Sequence, residues 1–197
     1  TYNNNQIRSY FLWAMLIPNP CFVIRRSLLL KHNLRFDESI MAGQDYEFWE
    51  RVSCFTKAHY YITNDILFKY RVHKNSISFK RNIIAQKTIG IVRERQLKRL
   101  LGNSYHPNHL QNLEMTYSGN INSFKEIASS LSFLKTIKTA NRKKQMYDSD
   151  DFNKYIKSKY IMVCKRGVYI SKIGSLKIHE VVFLPFVFGK YFMSLGV

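Results

Sequence analysis

The run Gly43-Gln44-Asp45-Tyr46-Glu47-Phe48-Trp49-Glu50-Arg51 concentrates carboxylates and aromatic rings in a chain that is otherwise strongly basic. Its spacing predicts a helix. Phe48, Val52 and Phe55 fall at i, i+4 and i+7 with Trp49 beside them, while Glu47 and Arg51 lie one turn apart on another side. Asp45 then sits in the first turn, where unpaired backbone N–H groups and the helix dipole favour an ionised carboxylate. Two roles fit that place: a base that accepts a proton from a reacting hydroxyl, or a residue that only charges the helix start.

Three other groups invite chemistry. His73 closes a strand-like stretch just before a polar turn, a position from which side chains often reach a site, although a lone His is more often a hydrogen-bonded surface residue than a ligand. In His106-Pro107-Asn108-His109 the two imidazoles have tempting spacing, but Pro107 marks a helix start and no carboxylate or thiol lies nearby. Asp148-Ser149-Asp150-Asp151 contains the Asp-x-Asp pair that can hold a divalent ion on a nucleotide diphosphate. It lies between basic helical segments rather than after a buried strand, and reads as the cap of the helix that follows. No Gly-rich phosphate loop, nucleophile elbow or Cys/His triad pattern is present.

The composition sets the frame for these groups. With 46% hydrophobic and 15% aromatic residues in 197, the chain can build a real core. Lys and Arg number 31 against 13 Asp and Glu, a formal +18, and the excess is heaviest beyond Phe79. An anionic neighbour is implied: lipid headgroups, nucleic acid or a phosphorylated substrate. No zinc finger or RNP-type motif singles out nucleic acid, for which the cluster Arg93, Arg95, Lys98, Arg99 would be the natural contact. Cys21, Cys54 and Cys164 are odd in number and far apart, which argues against a disulfide framework or zinc site and suits a reducing compartment. The start at Thr1 without Met or a signal-peptide pattern leads us to expect that part of a longer protein precedes it.

The elements that must position Asp45 follow from the pattern. Residues 1–10 read as a loop, 21–24 as a short buried strand, 25–33 as a helix with Leu28, Leu29 and Leu30 inward, and Asp37, Glu38 and Ser39 as the turn into the central helix. Residues 59–62 and 66–73 read as two further strands, the second with half-buried alternation. Beyond Phe79 come helices over 80–101, stopped by Gly102, with Ile84, Ile91, Leu97 and Leu101 inward, and over 108–116, 123–138 and 151–164, with 141–144 as a basic link. A last element spans 175–193; its apolar run 181–188 is too short to span a bilayer and suits docking on a membrane face or burial in the extension's core.

Residues 18–78, about a third of the chain, resemble the C-terminal half of the catalytic domain of family 2 glycosyltransferases with the GT-A fold. The resemblance rests on Asn19-Pro20 leading to Val23-Ile24-Arg25-Arg26, then Leu34-Arg35-Phe36-Asp37-Glu38-Ser39, then the run from Gln44 to Arg51, then Tyr70-Arg71-Val72-His73-Lys74-Asn75-Ser76-Ile77-Ser78, in that order. It implies an α/β fold, a partial GT-A layer over 1–79 lacking its N-terminal half, followed by a mainly helical basic extension over 80–197. It assigns Asp45 as catalytic base, with Gln44 where the family has Glu. Gln44, Trp49 and Asn19 would bind substrate, and His73 would help hold a divalent metal, Mg or Mn, whose other ligands lie upstream. The implied reaction moves a sugar from a nucleotide-sugar donor to a glycan or lipid-linked acceptor hydroxyl with inversion, in bacterial surface polysaccharide or lipopolysaccharide synthesis. It would take place in the cytoplasm, at the inner face of the membrane, and this chain alone would be inactive. The rival reading is a basic module for a membrane surface or nucleic acid, without catalysis.

Overall fold

The computed structural model describes residues 2–16, 18–69 and 82–173, and these are organised by helices: among them there is no β-strand. The expected α/β layer is therefore corrected to a helical fold. Residues 22–24 and 58–62, whose β-branched and aromatic content suggests strands, belong to neither helix nor strand. An extended segment becomes a strand only through a ladder of backbone hydrogen bonds with another, and that partner is missing among the described residues. Val23, Tyr61, Ile66 and Leu67 accordingly lie exposed. Residues 70–81 and 174–197, which include the expected end of the last strand with His73 and the apolar run 181–188, lie outside the described residues.

The chain forms two compact units, Thr1–Gly102 and Asn103–Val197. In the first, α1 (Asn4–Tyr10) replaces the loop expected at the N-terminus. A capping box nucleates it: Asn3 Oδ1 accepts from the Gln6 N–H at 2.8 Å while the Asn3 N–H donates to Gln6 Oε1 at 3.1 Å. A 3-10 turn at Asn19–Cys21 precedes α2 (Arg26–Lys31), of which Leu28 and Leu29 are half-buried and Leu30 points to solvent. Then come α3 (Gln44–Phe55) and α4 (Asn82–Leu101), packed on each other. Asp37 makes the expected turn before α3, its carboxylate taking the Ser39 N–H at 3.0 Å and the Ser39 hydroxyl at 2.6 Å. Those bonds hold the Asp37 carboxyl below the usual carboxylate range. The core gathers Ile7, Phe11, Leu34, Tyr46, Phe48, Trp49, Val52 and Val92. Each such side chain contributes about 1.5–3 kcal/mol when fully withdrawn from water. On α4, Leu97 and Leu101 are buried, but Ile84 and Ile91, expected inward, are exposed.

The second unit packs α5 (Asn108–Ser118), α6 (Phe124–Lys144) and α7 (Ser149–Ile173) against one another. Leu113, Leu131, Leu134, Ile137, Phe152 and Ile156 are fully buried between them. The basic link expected at 141–144 is instead the last turn of α6, where three cations complement the helix C-terminus. Asn141 closes that end, its amide exchanging hydrogen bonds with the Tyr147 backbone at 2.9 and 3.0 Å. Asp148 does cap, its Oδ1 accepting the N–H groups of Asp150 and Asp151, both at 3.1 Å.

Candidate functional site

The start of α3 is set by Gly43, whose φ of +80° a side chain would strain. A Cβ there would also come within 3.1 Å of the Thr88 Cβ and 3.3 Å of the Ala85 carbonyl on α4, so the missing side chain lets the two helices meet. Gly43→Ala is expected to lower stability by about 1–3 kcal/mol, seen as an earlier urea midpoint at an unchanged slope.

From this cap the first turn carries Gln44, exposed, then Asp45, half-buried, whose Oδ1 accepts the Tyr46 N–H at 2.8 Å. Tyr46 is buried and its hydroxyl donates to the Phe11 carbonyl. The same carbonyl takes the Gln96 amide at 2.9 Å, and Arg93 donates to the Trp13 carbonyl at 2.8 Å. Side chains of α3 and α4 thus hold the backbone of residues 11–13. Trp49 is buried; its indole N–H donates to Asn19 Oδ1 at 3.0 Å, and its ring stacks on Phe22 at 3.9 Å. Asn19 and Trp49, both expected near substrate, are brought together, and their bond ties the segment around Pro20 to α3.

The other two carboxylates of α3 are engaged in structure. Glu47 receives the Arg51 Nε at 2.8 Å and an Arg95 nitrogen at 3.1 Å; Glu50, fully buried, receives Arg95 at 2.6 Å and also pairs with Arg99. The Cys54 thiol donates to Glu50 at 3.0 Å, and burial pushes its pKa up to about 11. Among the described residues Asp45 makes no ion pair, so on α3 it alone has a carboxylate not held by a cation. Sequence reasoning missed this network. Its signal was available: Glu47 and Glu50 at i, i+3 on α3 facing Arg95 and Arg99 at i, i+4 on α4. Of the cluster, Arg93, Arg95 and Arg99 are directed to the Trp13 carbonyl, Glu47 and Glu50, while Lys98 is exposed and pairs with Glu94 on the same helix.

An apolar cleft of about 520 Å³ opens in the same unit, lined among others by Phe11, Phe22, Trp49, Tyr60 and Ile62. Asp45 is not among its lining residues, so cleft and carboxylate are separate features. Tyr60 is fixed by its N–H to Asn4 Oδ1 at 2.8 Å, and burial raises the pKa of its phenol. Among the described residues no group of three His, Cys, Asp or Glu could hold a metal ion; His73 lies outside them. The described residues by themselves supply no divalent-ion centre.

Over 72 residues the chain is 32% identical to an uncharacterised glycosyltransferase of Methanocaldococcus jannaschii, a stretch that is 36% of this chain and 23% of that protein. The chain thus spans under a quarter of the length of the curated relative it matches. No protein-family model matches it, and no solved structure does. The similarity is to a protein named as a glycosyltransferase and reaches no finer class.

Proposed function

We propose that the chain is part of an inverting glycosyltransferase of the family 2 kind, with Asp45 as its base. The observation that carries the reading is the partition of carboxylates on α3: Glu47 and Glu50 are locked by arginines, while Asp45 stands in the first turn and among the described residues pairs with no cation. The similarity to a named glycosyltransferase supports it independently. In the proposed step the Asp45 carboxylate takes the proton of an acceptor hydroxyl as that oxygen bonds to the anomeric carbon of a nucleotide sugar. The bond from that carbon to the diphosphate breaks on the opposite face, the nucleoside diphosphate leaves, and configuration inverts. Partners in this reading are the nucleotide-sugar donor and a glycan or lipid-linked acceptor, with binding roles for Gln44, Asn19 and Trp49. A divalent ion, Mg or Mn, would be held by His73 with ligands beyond the described residues.

The test is to incubate the complete protein with a panel of nucleotide sugars and hydroxyl acceptors and follow nucleoside diphosphate release, product anomericity and sensitivity to a chelator. Acceptor-dependent release with an inverted product is the expected result. Retained configuration would rule out single-step attack assisted by Asp45, and chelator-insensitive transfer would remove the metal and His73 from the reading.

A further inference from the structure

We infer that the outer face of α7 docks the protein on an anionic lipid surface. This goes beyond the transfer reading and does not depend on it. From Phe152 to Ile173 the helix sequence holds Lys154, Lys157, Lys159, Lys165, Arg166 and Lys172 and no Asp or Glu. Lys157, Ser158, Ile161, Lys165, Val168 and Tyr169 recur at spacings of one, three and four, which places them on one side of a 3.6-residue helix, and all are exposed. Within this cationic row Ile161, Val168 and Tyr169 are 41%, 46% and 52% exposed, while Ile156, Tyr160 and Val163 of the same helix form core. Tyr169 is covered by the Arg166 guanidinium, 5.0 Å from its ring centre, and Lys159 lies 5.2 Å from the ring centre of Tyr155.

Helix α6 supplies the contrast. Its outer positions Lys125, Ala128, Ser132, Lys135, Thr139 and Arg142 recur at the same spacing and are all exposed, with cations but no large apolar group. That is a solvated basic face. The α7 face adds aliphatic and aromatic groups that water does not reward. A phosphodiester chain attracts the lysines and stacks on aromatics but makes no use of Ile161 or Val168. A bilayer interface uses all three kinds: cations at anionic headgroups, Tyr at the boundary, and Ile and Val at the acyl edge. No described helix is long and apolar enough to cross a membrane, so α7 would lie in the plane of the interface.

The experiment is co-sedimentation of the full chain with vesicles of phosphatidylcholine alone and with one lipid in three replaced by phosphatidylglycerol. Binding only to the anionic vesicles is expected. Lys157→Gln with Lys165→Gln should lower the partition coefficient roughly tenfold or more, and Ile161→Ser with Val168→Ser should lower it about tenfold while single-stranded DNA binding, read by fluorescence anisotropy, stays unchanged. All four positions are exposed, and circular dichroism melts check that each variant keeps its fold; should the Ile161/Val168 pair melt early, the lysine pair decides alone. Failure of the wild type to bind anionic vesicles overturns the inference, as does wild-type binding by the lysine pair. A folded Ile161/Val168 variant that binds vesicles normally, with DNA binding lost in the lysine variant, identifies a polyanion face and overturns it too.

Discussion

Asp45→Asn in the complete protein is expected to cut sugar transfer by at least two orders of magnitude while melting temperature and donor-nucleotide binding stay near wild type. The substitution keeps the size of the side chain and an oxygen for the Tyr46 N–H, which Asp45 now holds at 2.8 Å, but removes the charge and the basicity. A positioned general base is worth typically about 10²–10⁴-fold in rate, roughly 3–5 kcal/mol of barrier. Folding has little at stake, because Asp45 is half-buried and pairs with no cation among the described residues, and the cap itself is made by Gly43. Near-normal transfer by the variant would reduce Asp45 to a helix-start residue. An unfolded variant would make it structural.

Glu50→Ala is expected to show the opposite pattern, a large loss of stability from a residue that touches no reacting atom. Glu50 has no solvent exposure and answers both Arg95 and Arg99, with the Cys54 thiol as a third partner. Removing one side of a buried ion pair typically costs about 3–5 kcal/mol, since the remaining charges keep their desolvation and lose their attraction. The arginine side chains remain 37% and 29% exposed and partly recover water, which puts the expectation near the lower end, about 3 kcal/mol. Urea unfolding followed by circular dichroism should give that difference. Glu50→Leu combined with Arg95→Met and Arg99→Met should recover much of it, because an apolar replacement of the whole cluster leaves no orphan charge. A Glu50→Ala protein as stable as wild type would show the network to be solvent-screened and dispensable.

The two predictions separate what could be read along the chain from what could not. The helix from Gln44, its apolar side with Phe48, Trp49 and Val52, and the place of Asp45 in its first turn follow from local spacing, because a helix satisfies its own backbone and needs neighbours only for one face. For the same reason the helices described after Phe79 were legible in their order. Their ends were not: α6 and α7 run on through Lys144 and Ile173, where favourable end charges and packing outweigh the solvated look of the sequence. Helix α1 was missed although Asn3 and Gln6 spell a capping pair, since the polar run around them carried no apolar period.

The strands failed for a different physical reason. Cys21–Ile24 and the stretch around Tyr60 have the composition of strands, but a strand is a property of two segments, and no composition states whether a partner is present. In the same way the sequence by itself determined which residues could bear charge or accept a proton, and it placed Asp45 in the first turn of its helix with Glu47 one turn from Arg51. Only the tertiary structure decided what Glu47 and Glu50 would meet from the next helix. By bringing Arg95 and Arg99 of α4 across to Glu47 and Glu50 it bound two carboxylates into the fold and, among the described residues, left the one at the helix start without a cation, a distinction set by packing at a sequence distance of more than forty residues.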